Sequence, residues 1–187
     1  AQVLEGDEGL ITLVPAFCDL HFHWVQDLVC DLPKESLLDW LQSYVFPEEN
    51  RFSSSDYAIE RAEKFFSKLI RCGTLSGAVY GSIHDHSITS AMKKRVGDFR
   101  MGNVIMTENS PDFLSQNHEE VHQVCTRLES LFGTRYVITP RFALSCDPEI
   151  LSWLGAFSQR HRLYVQTHLD ETQTEVRETL EFHRSFE

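Results

Sequence analysis

Paired cysteines are missing from this chain: its five cysteines, Cys18, Cys30, Cys72, Cys125 and Cys146, are odd in number, scattered, and never spaced as CxxC. That distribution excludes both a disulfide framework and a thiolate zinc knuckle, and it fits a reducing, cytoplasmic setting. Basic residues are also short, 17 against 28 acidic ones for a formal charge of −11. With no basic patch to neutralise phosphates, duplex nucleic acid is not the expected partner, and a small molecule is. No apolar run approaches the ~20 residues that a bilayer span needs. The N-terminus lacks a basic segment leading into an apolar one, so neither membrane nor secretion is expected. The nine glycines form no Gly-rich phosphate turn after the first predicted strand, which argues against an open doubly wound nucleotide-binding sheet. Linkers, low-complexity tracts and internal repeats are absent too.

What is present suffices for one globular domain: 187 residues, 42% of them hydrophobic. Short β-rich runs alternate with longer segments of helical period. Strand 16–23 leads to helix 35–46, whose Leu37, Leu38, Leu41, Tyr44 and Val45 form one stripe ended by Pro47. A helix starting near 54–56 and stopping at Gly73 follows, then strand 74–83, helix 87–96, strand 99–107, helix 117–132, strand 135–144, helix 147–161, strand 163–168 and a helix from about 171. Five strand–helix units in this order predict a parallel α/β sheet. Since a complete (β/α)8 barrel takes ~250 residues, the expected fold is a partial (β/α)8 TIM barrel with about five units present.

Of nine histidines, those of "CDLHFHWVQ" (18–26) raise the sharpest question. Alternation along a strand sends His21 and His23 to one face, so both imidazoles can converge on a single cation. Two histidines on a strand face are more often structural; the position at the C-terminal end of a buried barrel strand, where such enzymes keep their chemistry, strengthens the metal reading. His168 ends the fifth strand in "YVQTHLDE" and is a candidate third ligand, with Glu171 close behind it. "HEEVH" (118–122) matches the HExxH pattern, but its surroundings are polar around most of the helix, and it reads as a solvated face. "IHDH" (83–86) leaves His84 open between a place near the site and a loop-edge role.

"PAFCDLHFH" (15–23) resembles the strand-one signature P-G-x-x-D-x-H-x-H of the amidohydrolase superfamily, with Ala16 in place of the glycine. Gln26 three residues past the second histidine, "LLDWLQSYVFPEENRF" (37–52), "TPRFALSC" (139–146) and "THLDE" (167–171) bring the likeness closest to the guanine deaminases, over most of the chain. The resemblance implies zinc-dependent hydrolytic deamination of guanine to xanthine and ammonia. It implies His21, His23 and His168 as ligands of one zinc ion, Gln26 and Arg141 hydrogen-bonding the purine with Phe142 beside the ring, and Glu171 as proton shuttle. The family's remaining ligand histidine and aspartate, on strands six and eight, would fall beyond Glu187. The expectation is therefore an inactive fragment, with weak metal occupancy, in which residues 1–14 are a remnant of a flanking β-sandwich or linker and residues 15–187 an incomplete barrel. The exposed barrel edges lead us to expect a homo-oligomer, such as a dimer. Two alternatives stay open: another amidohydrolase acting on a triazine, an adenosine-like nucleoside or an imidazolone, and a non-catalytic remnant. The cysteine-based zinc deaminase fold is set aside for want of its P-C-x-x-C motif.

Overall fold

A computed structural model describes residues 2–6, 9–33 and 36–184. The helix start expected at Glu35, and the outer bounds Ala1 and Glu187 of the expected domain spans, lie outside them. Strands β1 (Gln2–Gly6) and β2 (Gly9–Leu13) pair antiparallel in a sheet of their own. The strands that follow are all parallel. β3 (Phe17–His23), β4 (Thr74–Tyr80) and β5 (Asp98–Gly102) neighbour one another in that order, as do β6 (Val104–Ile105), β7 (Val137–Pro140) and β8 (Tyr164–Val165). A single parallel bridge, Met101 to Tyr136, links the two groups.

Helices occupy every crossover. Between β3 and β4 come α1 (Leu37–Trp40), one π turn (Leu41–Val45), α2 (Phe46–Asn50) and α3 (Ser55–Arg71). Ser54 caps α3 by accepting from the Tyr57 amide at 3.4 Å, and Gly73 ends it at φ +77°, where only glycine is unstrained. Then follow α4 (Asp85–Lys94), α5 (His118–Phe132), α6 (Pro148–His161) and α7 (Gln173–Arg184). Asn117 and Glu120 close a reciprocal capping box at the start of α5. Two clusters of buried side chains hold these layers together. The larger one includes Trp24, Phe52, Phe66, Phe99, Met101 and Tyr136, and the smaller one includes Val45, Phe46, Tyr80, Val104 and Leu114. Among the described residues no helix is long and apolar enough to cross a membrane.

Four expectations need correction. Pro47 does not end the first helix. The amide of Phe46 bonds to the Leu41 carbonyl five residues back, and this wider turn admits the pyrrolidine ring at the start of α2, where a missing N–H is tolerated. Strand 99–107 breaks at Asn103, whose buried amide oxygen accepts from the Tyr136 hydroxyl at 2.7 Å. Strand 163–168 is ladder only at Tyr164–Val165. Past it the amides of Gln166 and His168 reach the carbonyls of Ile138 (2.9 Å) and Arg141 (3.1 Å). Finally, β3 is largely exposed rather than buried, because β4 is its one neighbour among the described residues.

Candidate active site

The C-terminal ends of β3, β7 and β8 meet at one cavity of about 480 Å³, in the size range of small-molecule pockets. His21, His23, Gln26, Arg141, Phe142, His168 and Glu171, the residues singled out above, all line it.

A bulge delivers the first two. Between Asp19↔Gly77 and Phe22↔Val79 the β3 chain holds one residue more than β4, so its ladder slips just before the histidines. The Asp19 carboxylate accepts from the His21 amide at 3.0 Å and replaces the missing ladder bond. A side chain at Gly77 would collide with the Asp19 carbonyl, so the glycine is what lets the bulged strand lie so close.

The ligand atoms of His21, His23 and His168 lie within 4.8 Å of one another. Their rings gather around Tyr80, itself buried, with centroids 4.7, 4.5 and 4.8 Å from its own. The Nδ1–H of His168 donates to the Arg141 carbonyl at 2.6 Å, which leaves its Nε2 to accept from the Nε2–H of His23 at 2.9 Å. Burial is the main force holding the His23 pKa well below the usual imidazole value, with the Arg141 charge and the neighbouring imidazoles adding to it. Burial lowers His168 too, against an opposing effect of its bond to the Arg141 carbonyl. Both rings are thereby kept neutral with lone pairs available, the state in which imidazole binds metals.

Deeper in the wall, Gln26 donates its Nε2–H to Glu49 Oε1 at 3.0 Å, and Arg141 donates from Nη1 to Glu49 Oε2 at 2.7 Å. All three are buried, Glu49 completely. The guanidinium also sits 5.2 Å from the centre of the Phe46 ring. Glu171 follows a turn in which Asp170 adopts φ +54°, and its amide donates to the Glu175 carboxylate at 2.9 Å.

The other histidines stay apart from this group. His84 is partly buried, lowered in pKa chiefly by burial, and its Nε2 has no partner among the described residues. His118 pairs with Asp147 at 2.7 Å and His122 stacks on Trp153 at 4.0 Å, so HExxH serves the packing of α5 on α6 rather than facing solvent alone.

Sequence reasoning passed over Glu49 and Tyr80. A signal for Glu49 was there: it continues the stripe of Leu41 and Val45 at i+4 and i+8, and a carboxylate on an apolar stripe needs a buried partner. The π turn and Pro47 hid that continuity.

Comparison with known proteins gives a consistent picture. The chain is 31% identical over 172 residues to the guanine deaminase of Escherichia coli (strain K12), covering 88% of this chain and 39% of that protein. It is 32% identical over 177 residues to that of Rattus norvegicus, covering 87% and 38%. The crystal structure of guanine deaminase from C. acetobutylicum with guanine bound in the active site superposes with a TM-score of 0.76 at 30% identity, covering 91% of this chain and 42% of that one. The chain thus spans about two fifths of the length of these relatives. Residues 12–187 match the model of the amidohydrolase family, and the chain belongs to that family.

Proposed function

We propose that the protein is a cytoplasmic, zinc-dependent guanine deaminase that converts guanine and water to xanthine and ammonia. One observation carries the reading: a single cavity joins three converging imidazoles to a buried amide and guanidinium suited to the polar edge of a purine. Three exposed free cysteines, Cys18, Cys30 and Cys72, suit a reducing compartment.

The donor set fits zinc. His21, His23 and His168 would hold the ion, the last with its tautomer already fixed by the Arg141 carbonyl. Zinc bound there would make water a competent nucleophile near neutral pH. Gln26 and Arg141 hold the purine by its edge, and Phe142 lies beside them on the cavity wall. As water adds to C2, Glu171 takes its proton and passes it to the adjacent ring nitrogen. Glu171 then carries the remaining proton of the added hydroxyl to the 2-amino group, the C2–N bond breaks, ammonia leaves and the C2 carbonyl of xanthine forms. We assign this activity to the full-length protein. The 187 residues by themselves, whose candidate ligand group contains no carboxylate, are proposed not to turn over. The hairpin of β1 and β2 is read as part of a flanking β-sandwich.

The test is ammonia release from guanine by the full-length protein, with zinc measured on the same sample. Release that a chelator abolishes and zinc restores is expected. A protein loaded with one zinc per chain that leaves guanine intact would overturn the reading.

A further inference from the structure

We infer that Glu49, a residue that touches no substrate atom, is a positioning residue that sets the hydrogen-bond polarity of the pocket and so makes it select a ring lactam over the corresponding aminated ring. The inference rests on the guanine reading above and extends it.

The argument starts from what a carboxylate can do. Facing the Arg141 guanidinium at 2.7 Å, Glu49 offers acceptors only. The amide of Gln26 must then turn its NH2 toward Glu49, as it does at 3.0 Å, and the choice between the two amide orientations is settled chemically. The group that Gln26 then turns away from Glu49 is Oε1, an acceptor, while its second amide proton stays on Nε2 at the Glu49 side. Arg141 spends one Nη1 proton on the same carboxylate, and the other N–H groups of its guanidinium have no hydrogen-bond partner among the described residues; they are donors only.

The wall therefore presents an acceptor beside donors, in a fixed order, from two buried side chains joined by one buried carboxylate. A ligand edge of N–H next to C=O, as at N1 and O6 of guanine, matches that order. The inverted edge of 2,6-diaminopurine, a bare ring nitrogen next to an amino group, puts acceptor against acceptor and donor against donor. A site built to hydrogen-bond one pattern rejects the inverse strongly, because its buried polar groups are left unpaired. Without Glu49 the Gln26 amide is free to turn over and donate to the bare ring nitrogen, which relieves one of the two mismatches and leaves only the amino group against Arg141.

The experiment measures dissociation constants for guanine and 2,6-diaminopurine by calorimetry on the full-length protein stripped of zinc, so that neither purine is turned over. The wild type is expected to favour guanine by roughly 10²-fold or more. Glu49→Gln, checked by near-UV circular dichroism for an intact fold, is expected to shrink that ratio at least tenfold. A merely structural role weakens both ligands alike and leaves the ratio where it was, and that result overturns the inference. Should Glu49→Gln fail to fold, Gln26→Met decides: it keeps the Glu49–Arg141 pair and deletes the oriented acceptor, so an unchanged ratio again overturns the proposal and a collapsed one supports it. A wild type that binds both purines equally overturns the role of Glu49 while leaving guanine deamination standing. A wild type that binds neither overturns both.

Discussion

Glu171 and Arg141 line the same cavity, yet their removal should leave opposite signatures. Glu171 is exposed and makes no bond from its carboxylate to the three clustered histidines among the described residues. In the full-length protein Glu171→Gln should therefore keep zinc and lower kcat by roughly 10²–10⁴, the range for a positioned proton carrier; activity within a few-fold of wild type would end the shuttle role. Arg141→Ala strips a buried carboxylate of its counter-charge and should cost about 3–5 kcal/mol of stability, read from urea unfolding, before any loss of binding is seen. The lowered pKa values of His23, His84 and His168 give stability a direction with pH. Their folded forms bind protons less readily than the unfolded chain, so their contribution is present above the unfolded value near 6.5 and is lost as pH falls from there toward the lowered folded values. Thermal unfolding of metal-free protein should show Tm constant from pH 8 to 7 and falling below about 6.5. Much of this site was legible as residues. Alternation pairs His21 with His23, the end of the fifth strand adds His168, and Gln26 and Arg141 lie in the segments that carry the family resemblance. Glu49 was not, since a helix expected to stop at Pro47 cuts it off from the stripe of Leu41 and Val45 that it continues.

At the level of elements, helix positions could be read to within a few residues, because caps such as Ser54, Asn117 and Asp147 act locally. Strand lengths could not, since a ladder's extent depends on a partner remote in sequence. "FRMGNVIMT" is uniformly β-rich, but Asn103 is drawn into a buried bond with Tyr136 and divides it. Close approach of strands is equally invisible until the partner is known. At Gly102 an added methyl would strike the Val137 carbonyl and the Thr139 hydroxyl of β7. Gly102→Ala should thus force the strands apart and cost about 3 kcal/mol. Gly155, inside α6 with open space around its Cα, is the control. Gly155→Ala should stabilise by about 0.5–1 kcal/mol through helix propensity alone. Urea unfolding of the two variants side by side checks the pair, and equal effects would mean that the strand contact at Gly102 is slack.

For the molecule as a whole, the parallel sheet has two open sides. β3 pairs only with β4, and β8 only with β7, among the described residues. Both edges carry exposed apolar groups: Phe17 and Leu20 on β3, the latter 74% exposed, and Tyr164 and Val165 on β8. Rows of unpaired N–H and C=O beside such side chains are templates for further strands. The guard on them is thin: Arg100 lies over the Tyr164 ring at 4.6 Å, and no charged side chain stands in β8 itself. Against association stands the net charge of −11, a long-range repulsion that salt screens. The two effects together predict that the 187-residue chain forms dimers or larger species through these edges, and that added salt strengthens the assembly. Light scattering over a range of concentrations at low and high ionic strength measures this. Leu20→Lys with Val165→Lys, charges placed at exposed edge positions, should return the mass to that of a monomer without lowering the unfolding midpoint. A monomer at every concentration and salt, with a steep cooperative urea transition, would show instead that the parallel strands and their helices satisfy one another without any edge partner.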